Sequence, residues 1–207
     1  MLDYPLKIVS DLHYKSPGSR LTQPEHLHPI FEGFRTVILN GDTLEYLYYG
    51  KTTGDKHKAE ITKVAEITGT RLIWINGNHD PELGEKEYAF VHRHRRIRVT
   101  HGDFDGLRMK PSRFVIYRRP LEIALYYLQF FRWFHIYFLQ SNMGLKTMAD
   151  GEILILGHTH RYKLIRHDRK TLVNLGAHIF LVNTAWVEVQ SAKSEVVLVK
   201  DGVRIDL

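Results

Sequence analysis

The sequence predicts an α/β fold in which a partly parallel sheet packs on a second, largely antiparallel one. Three observations carry this reading. Short apolar runs alternate with segments of helical spacing through the first half of the chain, the pattern of βαβ units. Five of those runs are followed directly, and never preceded, by clusters of Asp, Asn and His. The C-terminal residues are a series of apolar runs, the last two joined by Asp201-Gly202, a strong hairpin signal.

Taken in order, Leu6–Ser10 is a short buried strand that runs into Asp11-Leu12-His13. Glu25 to Phe34 has helical spacing, with Leu27, Ile30, Phe31 and Phe34 on one face. Thr36–Leu39 is the second strand and ends in Asn40-Gly41-Asp42-Thr43-Leu44-Glu45. Lys56–Thr68 is an amphipathic helix stopped by Gly69. Arg71–Ile75 is the third strand and runs into Asn76-Gly77-Asn78-His79-Asp80-Pro81. Arg96–Thr100 is the fourth, ending in His101-Gly102-Asp103. Glu152–Leu156 is the fifth, ending in Gly157-His158-Thr159-His160. Thr171–Leu175, Ile179–Glu188, Glu195–Val199 and Val203–Leu207 complete the strands and are expected to form the second sheet.

The chain has 207 residues, enough for one domain with a full core, and neither a linker nor an internal repeat divides it. Its 43% hydrophobic and 25% charged residues are ordinary for a soluble globular protein. Without cysteine, disulfides and thiolate metal sites are excluded. The net charge of +6 suits nucleic acid, an anionic membrane or a phosphorylated substrate, without choosing among them. No secretory signal and no membrane-spanning apolar stretch is present, so the expected location is cytoplasmic.

In open α/β sheets ligands collect at the carboxyl ends of strands. On an extended strand end, residues i and i+2 face the same way, so His158 and His160, like Asp11 and His13, can share one site. Asp11, His13, Asp42, Asn78, His101, His158 and His160 therefore converge on one edge. Seven such ligands suffice for two divalent cations if Asp42, from a central strand, bridges them. Two cations ~3.5–4 Å apart would clamp a phosphate while a bridging hydroxide attacks phosphorus. Nitrogen and oxygen ligation without sulfur favours Mn2+, with Fe or Zn as alternatives. His79 is placed to bond a phosphoryl oxygen or protonate the leaving oxygen, with Asp80 to orient it.

The five clusters together resemble the ordered motifs of the calcineurin-like metallophosphoesterases. The resemblance rests on Asp11-Leu12-His13, Gly41-Asp42, Gly77-Asn78-His79-Asp80, His101-Gly102 and Gly157-His158-Thr159-His160. It implies a four-layered α/β/β/α sandwich. It also implies one metal on Asp11, His13, Asp42 and His160, a second on Asp42, Asn78, His101 and His158, and His79 as the catalytic histidine.

Residues 108–145 stand out as a basic and aromatic insertion, expected to be a helical lid. Five basic residues (Arg108, Lys110, Arg113, Arg118 and Arg119) occur with no acidic one, and an apolar stretch from Pro120 to Leu139 follows. A buried helix or a homodimer contact is the plainer reading of that stretch. A lid beside the metal edge that touches an anionic membrane surface at the inner face is the sharper one. Stacking on nucleic acid bases ranks last. Arg113, Arg118, Arg119 and Arg161 are the expected substrate-binding residues. The insertion, with His101-Gly102-Asp103 and the Gly157–Arg161 run, resembles the branch that includes UDP-2,3-diacylglucosamine hydrolase of lipid A synthesis, which implies a lipid-linked phosphorylated substrate. A nuclease or cyclic-nucleotide phosphodiesterase is the first alternative, and a non-catalytic, metal-stabilised scaffold the second.

Overall fold

A computed structural model describes residues 2–103, 139–177 and 185–207. Two sheets lie face to face. The first has β1 (Leu6–Val9), β2 (Thr36–Asn40) and β3 (Arg71–Ile75) in parallel, and β1 pairs antiparallel on its other side with β9 (Ala185–Val189). Beyond β9 come β10 (Val196–Lys200) and β11 (Val203–Asp206), joined by the Asp201-Gly202 turn. The second sheet runs β4 (Glu87–His92), β5 (Arg95–Thr100), β6 (Ile153–Leu156), β8 (Lys170–Leu175), β7 (Tyr162–His167), with β5, β6 and β8 parallel.

Alternation along the strands explains the layering. Leu6 and Ile8 of β1, with Ile38, Ile75, Val187 and Leu198, face Ile97, Val99, Ile153, Ile155, Val173 and Leu175 across the inter-sheet core. Val9, Val37 and Leu39 point the other way. They meet Ile61, Val64 and Ala65 of a helix (Lys51–Thr68) and the turn of helix that holds Phe31. On the far side, Leu154, Leu156 and Leu172 are covered by Met148 and by Leu145 of the helical residues 139–147. The order is therefore helix, sheet, sheet, helix. Among the described residues no helix is long and apolar enough to cross a membrane.

Several expectations are corrected. The C-terminal strands do not form a sheet of their own: β8 joins β6, while β9, β10 and β11 extend the first sheet from the open edge of β1. Nor do all five cluster-bearing strands share a sheet; β5 and β6 belong to the second. An apolar run reports burial and does not say against which neighbour. The helix over 25–34 is a 3-10 turn (Pro24–Leu27) followed by one α turn (His28–Phe31), because Pro24 and Pro29 each restart it. The long helix starts at Lys51 and runs through Gly54, whose bare backbone is where the Tyr46 ring rests. Gly69 ends it in the left-handed conformation, as expected. The basic run His92–Arg96 is partly structural. His92 is buried between the Tyr4 hydroxyl and the Ser194 carbonyl, and Arg95 reaches the carbonyls of Gly151 and Leu207. Residues 104–138, with most of the lid expected over 108–145, and 178–184 of the expected strand lie outside the described residues; residues 139–145 of the expected insertion are helical.

Candidate metal centre

The carboxyl ends of β1, β2, β3, β5 and β6 open on one edge, so the clusters meet although they come from two sheets. The local backbone is not the extended strand end expected from the i, i+2 spacing. Asp11, His13, Asp42, His158 and His160 all have positive φ, between 44° and 71°. Asp and His enter this region more readily than most residues, yet five together at one edge are strain of the kind that clusters at functional sites. The side chains converge because the chain turns back at each position, and the pleat does not carry on.

The side chains fall into two groups that share Asp42. In the first, ligand atoms of Asp11, His13, Asp42 and His160 lie within 4.8 Å of one another. His13 Nε2 is 3.1 Å from His160 Nε2, which is 3.4 Å from Asp11 Oδ1. In the second, Asp42 Oδ2 is 3.2 Å from His101 Nε2. Asn78 Oδ1 lies 3.3 Å from that nitrogen and 2.7 Å from His158 Nδ1. The structure thus brings together all seven residues expected from the sequence.

Each side chain is oriented from behind. The Asp11 carboxylate accepts the His158 N–H at 3.0 and 3.1 Å and bonds to the Ser10 hydroxyl at 2.5 Å. His101 Nδ1 donates to the Asn40 carbonyl at 3.0 Å, which leaves Nε2 facing the centre. Gly77 and Gly157 have no room for a side chain, since a Cβ would overlap Asp42 at one and Ser10 and Asp11 at the other.

Glu45, absent from the expected site residues, is the main addition. Its Oε1 bonds to His13 Nδ1 and its Oε2 to His79 Nδ1, the latter at 2.6 Å. One buried carboxylate therefore orients a candidate ligand and the candidate catalytic histidine together. The only sequence signal was its place three residues after Asp42. Asp80 does not orient His79 as expected. It is buried, and its oxygens accept N–H groups of Asp42 (3.1 Å), Thr43 (2.7 Å), Leu44 (3.0 Å) and Gly77 (2.7 Å). Asp80 ties the Asp42 loop to the Asn78 loop. Arg161 is exposed next to His160. Arg113, Arg118 and Arg119 lie outside the described residues.

The electrostatics suit cations. Burial works to raise Asp11 and Asp42, but His101 with His160 for the first, and His101 with His79 and His13 for the second, hold both carboxyls low. Burial opposes a charged His101, yet the Asp42 and Asp11 carboxylates lift it to about 10. His158 is pushed down to about 4 by burial and by the charge of His101, so it is neutral and ready to ligate. Among the described residues no lysine or arginine pairs with Asp11 or Asp42. The charge of Asp42 and Asp11 is met by the His101 imidazole, whose proton a divalent cation would displace on binding. The donor set of two carboxylates, four imidazoles and one amide oxygen fits two such ions.

His79 is 28% exposed, with Nε2 3.9 Å from Asp42 Oδ2. Burial opposes its charge, and the Glu45 hydrogen bond with the Asp42 and Glu45 charges outweighs this, raising it to about 9. In the metal-free protein, an NMR titration is expected to show the His79 ring losing its proton near pH 9. Glu45→Gln should move that midpoint down toward the usual 6.5. An unmoved midpoint would mean that Glu45 does not hold the ring.

The family model described as the calcineurin-like phosphoesterase superfamily domain matches residues 5–185. No curated protein matches in a sequence search. Among solved structures, a single mutant of Vps29 from Entamoeba histolytica is similar over 98% of both chains, at 17% identity and a TM-score of 0.52. Vps29 from Chaetomium thermophilum is similar over 95% of this chain and 84% of its own, at 14% identity and 0.51. Wild-type Entamoeba histolytica Vps29 complexed with Zn2+ is similar over 97% and 98%, at 16% identity and 0.50. At such identities the structural likeness speaks for the fold alone. With the family model spanning most of its length, the chain belongs to the calcineurin-like phosphoesterase superfamily.

Proposed function

We propose that the protein is a dinuclear, metal-dependent phosphoesterase. The observation that carries this is the sharing of Asp42 by two groups of ligand atoms, with His79 on their rim. Asp11, His13, Asp42 and His160 would hold one cation, and Asp42, Asn78, His101 and His158 the other. Bound there, two divalent cations polarise a phosphoryl group and make hydroxide available near neutral pH. His79, held through Nδ1 by Glu45, keeps Nε2 turned toward the centre, where it donates a proton to the leaving ester oxygen. The mixed nitrogen and oxygen ligands favour Mn2+. The Zn2+ bound by a Vps29 of the same fold supports a divalent cation in this architecture. The run of basic residues before the apolar 120–139 stretch supports an amphiphilic substrate, of which UDP-2,3-diacylglucosamine is the one to test first.

The test combines binding and turnover. Calorimetry should show two Mn2+ bound, and the loaded protein should cleave a bis-aryl phosphodiester or UDP-2,3-diacylglucosamine. His79→Ala should keep both cations and lose ~10²–10⁴-fold in turnover. Cleavage of DNA or RNA in preference to these esters would instead favour a nuclease. Two bound cations with no cleavage of any ester or pyrophosphate would leave a metal-stabilised scaffold.

A further inference from the structure

We infer that Gln140 is a positioning residue for the second cation site, clamping the loops that carry His101 and His158. The inference rests on the dinuclear reading above and adds a residue outside its ligand set. Gln140 is 1% exposed. Its amide nitrogen donates one hydrogen to the Gly102 carbonyl at 3.2 Å and the other to the Gly157 carbonyl at 3.0 Å. Gly102 directly follows His101, and Gly157 directly precedes His158. The Gln140 Oε1 accepts from Asn174 Nδ2 at 2.9 Å, and the same nitrogen reaches the Gly157 carbonyl at 2.8 Å. Asn174 Oδ1 in turn accepts the Gly176 N–H at 3.2 Å. Every polar group of the two amides is thereby used, which fixes which end of each is nitrogen.

The depth of Gln140 is set by rigid packing. The helical residues 139–147 lie close on the second sheet at Gly144, where a Cβ would press on Leu172 and Leu154. Gly102, at φ +91°, has no room for a Cβ beside the Gln140 amide. The four ligands of the second site thus sit on two tied pairs of loops. Asp80 ties the Asp42 loop to the Asn78 loop by accepting the N–H groups of Asp42 and Gly77, and Gln140 ties His101 to His158 by donating to their neighbours' carbonyls. In the first site Asp11 and His13 come from a loop that Gln140 does not touch, and only His160, three residues past Gly157, lies on a loop that it ties. Residues behind metal ligands typically contribute 10–100-fold to metal affinity.

Gln140→Met keeps the length of the side chain and removes both donors. In a Mn2+ titration of the full chain followed by calorimetry and electron paramagnetic resonance, the second binding step should weaken ~10–100-fold, while the first stays within ~3-fold. Asn174→Ala, which withdraws the support of Gln140, should act in the same direction. Met148→Ala serves as the control, since it loosens the same layer without touching either loop, and it should leave both steps unchanged. Both cations bound at wild-type strength by Gln140→Met and Asn174→Ala would overturn the inference. So would a Met148→Ala protein with an equally weakened second step, because general loosening would then suffice. Fewer than two cations on the wild-type chain would instead overturn the dinuclear reading itself.

Discussion

Asp42→Asn is expected to remove both cation sites and lower phosphodiester turnover by at least ~10³-fold, since the cations supply several kcal/mol of transition-state stabilisation. The reason is geometric. Asp42 Oδ1 accepts the His79 N–H at 2.8 Å, and Oδ2 faces His101 Nε2 at 3.2 Å. An asparagine retains the first contact, so the loop keeps its shape. It replaces the second oxygen by an NH2 group that donates where both cations need a lone pair. The wild-type protein at a Mn2+ concentration of about 100 Kd should gain about 2.7 kcal/mol for each site filled, or roughly 5–11 °C in Tm per site at this chain length. Asp42→Asn should show no such gain, whereas Asn78→Ala should lose the second step only. One tight site surviving in Asp42→Asn would mean that the two groups do not share this carboxylate.

What was legible in the sequence divides along physical lines. Runs such as Ile153–Leu156 and Thr36–Leu39 are buried on both faces and read as strands without ambiguity. β4 and β7 were missed because they are edge strands: Glu87, Ala89 and Val91 of β4 alternate outward, and β7 mixes Lys163 and Arg166 with its apolar residues. The seven candidate ligands were legible because they stand directly after strands and are the residue types that bind hard cations. Their left-handed backbone was not, since Asp and His carry no mark of it. Glu45 and Gln140 were missed for a shared reason. Each acts on the site through another residue, and such a role depends on contacts between segments distant in the chain. The placement of β9 beside β1 was hidden too, because Ala185, Val187 and Val189 would fit either sheet by hydropathy alone.

Asp80→Ala is expected to destabilise the fold by about 3–5 kcal/mol, which corresponds to a fall in Tm of roughly 6–20 °C. Removing the carboxylate strands the N–H groups of Asp42, Thr43, Leu44 and Gly77, and each buried donor left unmade costs about 1–3 kcal/mol, less what water regains in the space. Asp80→Asn should be nearly as severe, because its NH2 would point at the Thr43 and Leu44 donors. A dependence on pH follows from the same environment. Burial and the Asp42 charge raise the Asp80 carboxyl to about 7 in the metal-free protein, despite the N–H bonds. The folded value lies above the usual 3.8, so the contribution of this group is complete below pH 3.8 and declines as pH rises through about 7. Cations beside Asp42 offset that repulsion, so Mn2+ should raise Tm more at pH 8 than at pH 5. Displacement of the His101 proton adds to the trend in the same direction. Should Asp80→Ala melt like the wild type while losing turnover, Asp80 would act on His79 after all, and its bonds to the Asp42 loop would be incidental to the fold.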